Sequence, residues 1–269
     1  MSKKNREARR TVEKEIKLTK RDKRSAKNRN VVQQAEASER NKKIAFSVLL
    51  ALCLIAMGTA VFYGVQKNKI EIVKNYQELA GSTKDFGIVV KPSDLGAPKE
   101  KDATENHIVV YEDYSCPHCQ EFETTQGPQI QSLVEQGFAD IEYRSTAFMD
   151  KAGADNNNSK RMGFVAACAF ENGGTSNWLK AHDVLYSKDF FSPQNSHSDA
   201  ETLKLMNDKN VKLTKECVKS QKFVPWMKKA TEAYFKAPGV TGTPAVFVNG
   251  KQIDEITVEN IAKAVGAIQ

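Results

Sequence analysis

Hydrophobic and polar positions divide the chain into three regimes. The first 43 residues carry almost no large apolar side chains and no periodicity that a core could use, which predicts no packed structure. Residues 44–65, IAFSVLLALCLIAMGTAVFYGV, are 22 positions without a charge. As a helix they span about 33 Å, enough to cross a hydrocarbon layer of about 30 Å. Beyond them, short β-prone runs and helical patterns alternate to the C-terminus.

This third regime predicts the following elements. Residues 66–83 read as a short stalk, partly helical through 70–79. FGIVV (86–90) is a strand, and a turn-rich connection follows. HIVVYED (107–113) is a continuous apolar run, the pattern of a strand buried on both faces of a mostly parallel sheet. Cys116 opens a helix running to about Gln136, bent near Gly127 and Pro128 and ended by Gly137. Residues 139–143 form the next strand. Helices are expected over 159–171, 177–187, 199–210, 214–220 and 224–236, with NGG (172–174) and SPQNSHS (192–198) as breaks. Residues 245–248 and 251–253 are strands joined by an Asn249–Gly250 hairpin turn. Thr257 caps a last helix reaching about Ala267. The order is β-(βαβ)-helices-(ββα), an α/β chain with an all-helical insertion over about 151–222.

Charge sharpens this division. Up to Lys43 there are 16 Lys and Arg against 6 Asp and Glu, a net of +10, so the remainder of a chain of net charge +7 carries −3. A basic segment can bind nucleic acid, but directly before an apolar span it is read as a solvated cytoplasmic tail. The positive-inside rule puts residues 1–43 in the cytoplasm, 44–65 in the membrane and 66–269 outside. A cleaved signal peptide is the competing reading, with small residues at Gly58 and Ala60; its apolar core would be shorter and its basic lead briefer. Cys53 lies within the span and reads as an inert buried thiol, since the bulky Leu52 before it does not suit lipidation.

The chemistry concentrates at Cys116-Pro117-His118-Cys119, where a central strand gives way to a helix. The first helical turn has unpaired N–H groups and a partial positive charge, which stabilise a thiolate. Pro117 fits that turn because its missing N–H is not needed there, and His118 can add a donor or a positive charge. Two thiols so spaced can close a small disulfide, and stabilising the Cys116 thiolate makes that disulfide a stronger oxidant.

The strand followed by CPHC opening a helix, the helical insertion, and TGTP placing Pro244 125 residues after Cys119 resemble the DsbA-type thiol:disulfide oxidoreductases of the thioredoxin superfamily. The tethered layout is similar to membrane-anchored versions from Gram-positive actinobacteria. The resemblance covers residues 84–269 and implies a thioredoxin-like fold preceded by one transmembrane helix and a stalk (66–83). It implies Cys116 as the exposed nucleophile, Cys119 as the resolving thiol, and Pro117 and His118 as tuners of the potential. It also implies Pro244 as a cis-proline that leaves the Thr243 backbone free to pair with an extended substrate. Many relatives carry a buried acid six residues before the first cysteine. Here that position is Val110, and the nearby Glu112 and Asp113 read as solvated loop charges.

Cys168 and Cys217 fall in the helical insertion, outside the membrane, where disulfides persist. They read as a bridge stapling two helices; two separate buried thiols are the alternative. Zinc, the other use of a CxxC, needs two more ligands. There is no second CxxC, and His107, His182 and His197 form no HxxxH pattern, so neither a metal nor an organic cofactor is expected. His182 and His197 read as surface or helix-end residues. Trp178, Trp226, Phe164, Phe170 and Phe235 read as core aromatics, and no peptide groove is assigned to Phe122 or Phe148.

These readings converge on an extracytoplasmic protein dithiol oxidase, anchored in the cell membrane, that introduces disulfide bonds into unfolded exported proteins. The resemblance implies reoxidation by a quinone-linked membrane partner, DsbB-like or vitamin-K-epoxide-reductase-like. A reductase or isomerase on the same scaffold, and a non-catalytic tethered peptide binder, are the alternatives.

Overall fold

The computed structural model describes residues 19, 39, 41–64, 76–151, 157–191 and 197–269. The basic tail as a whole, most of the stalk and most of the 192–198 break lie outside the described residues. The chain divides into two units, Met1–Ile70 and Glu71–Gln269. In the first, helix α1 (Asn41–Gly64) is long and apolar enough to cross a membrane. Its large side chains, such as Leu49, Leu54 and Phe62, are exposed, as a lipid-facing helix requires.

The second unit is built on a five-stranded sheet in the order β1-β3-β2-β4-β5. The strands are β1 (Ile88–Val90), β2 (His107–Glu112), β3 (Asp140–Ser145), β4 (Ala245–Val248) and β5 (Lys251–Gln252). β2 is central, parallel to β3 and antiparallel to β4. Its β-branched residues alternate between two apolar layers. Ile108 and Val110 face the main core, and Val109 and Tyr111 join Tyr234 and Ala245 on the other face. The apolar run was thus rightly read as buried on both faces, but the sheet is not mostly parallel. Among the strand pairs of the described residues only β2 and β3 run parallel, because that pair alone is joined by a helical crossover; β1 pairs antiparallel with β3.

The crossover consists of α2 (Pro117–Thr125) and α3 (Gly127–Glu135), separated at Gln126 by the Gly127–Pro128 step. The β4–β5 turn places Asn249 and Gly250 at φ 51° and 80°, the left-handed pair a tight hairpin needs. Thr257 accepts a hydrogen bond from the Asn260 N–H and caps α9 (Val258–Ala264).

Between β3 and β4 lie α4 (Phe148–Lys151), α5 (Asn158–Tyr186), α6 (Asp199–Asp208), α7 (Lys215–Ser220) and α8 (Val224–Tyr234). The two helices expected over 159–187 are both present within this element, divided at a non-helical Gly174 with φ 68°, inside the NGG break. Asn177 makes the kink tolerable. Its amide donates to the Ala169 and Lys212 carbonyls at 2.7 and 2.9 Å and accepts from the Lys212 N–H at 2.7 Å, so buried backbone groups there find partners. Cys168 and Cys217 are bonded to each other and join α5 to α7.

Trp178, Trp226 and Phe164 are buried. Phe235 is 45 % exposed and not a core residue, since it caps the C-terminus of α8. The folded body also reaches back past the boundary expected at residue 84. Leu79 is buried in the main core, and Lys229 Nζ stands 3.6 Å from the centre of the Tyr76 ring.

Candidate active site

β2 delivers the chain to the site. Residues 113–115 turn sharply, with the Cys116 N–H donating to the Asp113 carbonyl at 2.9 Å. Cys116 is the residue before α2, with extended backbone, and Pro117 occupies the first helical position. The Gln120 N–H donates to the Cys116 carbonyl at 3.0 Å, closing the first turn. The sulfur of Cys116 therefore sits beside the unpaired N–H groups of the helix start.

Residues far along the chain arrive because β4 pairs with β2. Tyr111 stands opposite Ala245, which sets the preceding Thr243 and Pro244 beside the end of β2. The Thr243–Pro244 peptide is cis. Cys116 Sγ lies 3.4 Å from the Thr243 carbonyl oxygen, to which the thiol donates when it is protonated.

Cys116 and Cys119 are free thiols with opposite acidities. Cys116 is lowered to about 5, chiefly by a hydrogen bond from the Cys119 thiol. The Thr243 side chain and the N–H groups of His118 and Cys119 add to this, against a desolvation that raises it. Cys119 is pushed well above the ordinary thiol value, first by burial and then by its hydrogen bond and proximity to Cys116. At neutral pH one sulfur is an anion and its neighbour a thiol.

Two expectations about this site need correction. Cys116 is not an exposed thiol; the residue is 3 % exposed, beneath the Thr243 carbonyl, although less deeply enclosed than Cys119. Pro117 and His118 are the exposed members of the motif. Nor are Glu112 and Asp113 solvated, since both are 0 % exposed. Asp113 is held inside by the backbone it organises. Its carboxylate accepts from the Ser115 and Met149 N–H groups, each at 2.8 Å, tying the turn before Cys116 to the start of the helical layer. Burial pushes Asp113 up to about 7 despite these bonds.

His182 is likewise not a surface residue. It is 1 % exposed, packed against Trp178, Tyr143 and Tyr114 with ring centroids 4.8, 4.8 and 5.8 Å away. The available signal was its place on α5, four residues after Trp178, on the stripe that faces the sheet. Cys168 and Cys217 belong to the helical layer rather than to the thiol site.

The family model described as thioredoxin matches residues 100–267. The chain is similar to a curated protein of Rickettsia prowazekii named "Putative protein-disulfide oxidoreductase", at 24 % identity over 165 residues, 60 % of this chain and 57 % of that protein. The chain thus spans less than three fifths of the length of that relative. Among solved structures it resembles oxidised DsbA of Mycobacterium tuberculosis, with 25 % identity, a TM-score of 0.55, and coverage of 68 % of this chain and 92 % of that one. It shares its fold with the thiol-disulfide oxidoreductase MdbA of Corynebacterium diphtheriae, with 23 % identity, a TM-score of 0.54, and coverage of 70 % and 92 %.

Proposed function

The chain belongs to the thioredoxin family, and from that premise we propose that it is a thiol:disulfide oxidoreductase that oxidises dithiols in exported proteins through Cys116 and Cys119. One observation carries this reading: a thiol lowered to about 5 stands within one helical turn of a thiol raised well above its ordinary value. The names of the rickettsial relative and of the mycobacterial and corynebacterial structures support the same chemistry.

The working form has the Cys116–Cys119 bond closed. A substrate thiolate attacks Cys116 Sγ. That bond breaks, its electron pair goes to Cys119 Sγ, and Cys119 takes a proton. A mixed disulfide now joins the substrate to Cys116. The substrate's second thiolate attacks the substrate sulfur of that bond, and Cys116 leaves as a thiolate, the form its surroundings favour. The substrate has lost two electrons and two protons. The enzyme holds both electrons and one proton, and the other proton goes to water. Thr243, beside Cys116, presents its backbone to an extended substrate as a neighbouring strand would, with Pro244 fixing that edge. Pro117 and His118, exposed at the helix start, tune the potential.

Helix α1 is the anchor, with residues 1–43 in the cytoplasm and the thioredoxin-like unit outside, in keeping with the positive-inside rule. Outside the membrane, oxidised thiols persist. The electrons pass on to a quinone-linked membrane oxidase of the DsbB or vitamin-K-epoxide-reductase kind, which the anchor keeps on the same surface.

The test is oxidative refolding of a reduced, unfolded disulfide protein by the oxidised full-length chain. Cys116→Ala abolishes it. Refolding that proceeds unchanged would leave a tethered peptide binder as the better reading. A reduction potential near thioredoxin's, about −270 mV, rather than toward that of strong oxidants at about −120 mV, would favour a reductase or isomerase.

A further inference from the structure

A second group of polar side chains lies against the active-site helix. Glu112 ends β2, Glu123 stands one turn beyond Cys119 on α2, and His182 comes from α5. One ligand atom from each lies within 4.8 Å of the other two. All three residues are buried, at 0 %, 7 % and 1 % exposure.

Their closest contacts are ion pairs. His182 Nε2 is 3.2 Å from Glu123 Oε2, and His182 Nδ1 is 3.4 Å from Glu112 Oε1. Yet His182 Nε2, both Glu112 oxygens and Glu123 Oε1 are buried without a hydrogen-bond partner, and so is the hydroxyl of Tyr186 beside Glu112. A buried polar atom left unpaired bears its full desolvation penalty. Five such atoms at one place call for a shared partner.

Charge and spacing indicate what that partner is. Two buried carboxylates around one imidazole carry negative charge that a divalent cation would balance in place of protons. Ligand atoms about 2.0–2.2 Å from a tetrahedral metal ion stand about 3.3–3.6 Å apart, close to the 3.2 Å between His182 Nε2 and Glu123 Oε2. His182 Nδ1 is also 3.2 Å from the Tyr114 hydroxyl, an outer partner that orients the ring.

We propose that Glu112, Glu123 and His182 form a binding site for one divalent first-row transition-metal ion, with the Tyr186 hydroxyl or a water as a further ligand. The donors are two carboxylates and one imidazole, a set suited to zinc, manganese or ferrous iron. The ion joins the end of β2, the active-site helix and α5, and so fixes the helical layer to the thiol site. Its ligands follow no CxxC or HxxxH spacing, which is why the sequence pattern alone predicts no metal. The site rests on geometry and does not depend on the proposed thiol chemistry.

The experiment uses the full-length chain in detergent, without a polyhistidine tag and with the Cys116–Cys119 disulfide closed so that those sulfurs cannot ligate. After treatment with a chelator, Zn2+ or Mn2+ is titrated by calorimetry and by thermal unfolding. One equivalent binds per chain, the unfolding temperature falls on chelation and recovers on adding the ion, and affinity rises with pH as the ligands shed protons. Tyr114→Phe weakens binding about 10–100-fold, and Glu123→Gln and His182→Gln remove it. Two results overturn the proposal: a wild-type chain that binds no ion and is indifferent to chelation, which leaves the cluster to protons, or full binding by His182→Gln.

Discussion

The acidity of Cys116 fixes how the reduction potential of the Cys116–Cys119 couple varies with pH. Below about pH 5, reduction takes up two electrons and two protons. The potential should then fall by about 59 mV per pH unit, twice the 29.6 mV that a tenfold change represents for a two-electron couple. Above the Cys116 value of about 5, reduction takes up a single proton, because Cys116 stays ionised while Cys119 is protonated. The slope halves to about 30 mV per unit. Between about pH 5 and pH 8 the potential falls by about 90 mV instead of about 180 mV. The difference of about 90 mV corresponds to about 4 kcal/mol of thiolate stabilisation at the upper end. The assay is equilibration with glutathione buffers at about half-unit pH steps, with the oxidised fraction read by alkylation and mass. A single slope of about 59 mV per unit up to pH 8 would refute the reasoning, since it requires both thiols to be protonated throughout.

Three further outcomes bear on the fold. Replacing Cys168 and Cys217 together by Ala opens a loop of sequence separation 49 and should lower stability by about 4 kcal/mol on the chain-entropy account; a denaturant midpoint that does not move would contradict it. Leu79→Ala should cost about 2–5 kcal/mol because that side chain is buried in the main core, whereas a stalk residue outside the fold would cost almost nothing in the same melt. His107 is raised to about 9 by the hydrogen bonds its ring N–H groups donate to Asp140 and Glu142. Its contribution is present in full below about pH 6.5 and is lost as pH rises through about 9. With the side chain 40 % exposed, solvent screening reduces this to about 1 kcal/mol. His107→Gln should flatten that part of the stability profile, and an unchanged profile would show the pair to be inert.

The parts of this molecule visible in the sequence depend on local pattern. The β2 run, the CPHC step into α2, the Asn249–Gly250 turn and the Thr257 cap each declare themselves within a few residues. The cis Thr243–Pro244 step was legible only through family resemblance, because its place beside Cys116 comes from the pairing of β4 with β2. Burial of charge was not legible. Glu112 and Asp113 look like loop charges because the N–H groups that hold Asp113 include one from Met149, 36 residues away. His182 shows the same limit, since its partners lie on β2 and α2. Strand direction also escaped the reading, because an apolar run reports burial on both faces but not whether its neighbours run parallel.

The central claim is that Cys116 is the sulfur that meets the substrate and Cys119 the one that releases it. Cys119→Ala in the full-length chain, mixed with a reduced dithiol protein in the presence of a disulfide donor, tests this most directly. The account predicts a stable one-to-one mixed disulfide on Cys116 at neutral pH, identified by mass, and none when Cys116→Ala is combined with it. An adduct that persists without Cys116, or its absence when Cys116 is intact, would contradict the account.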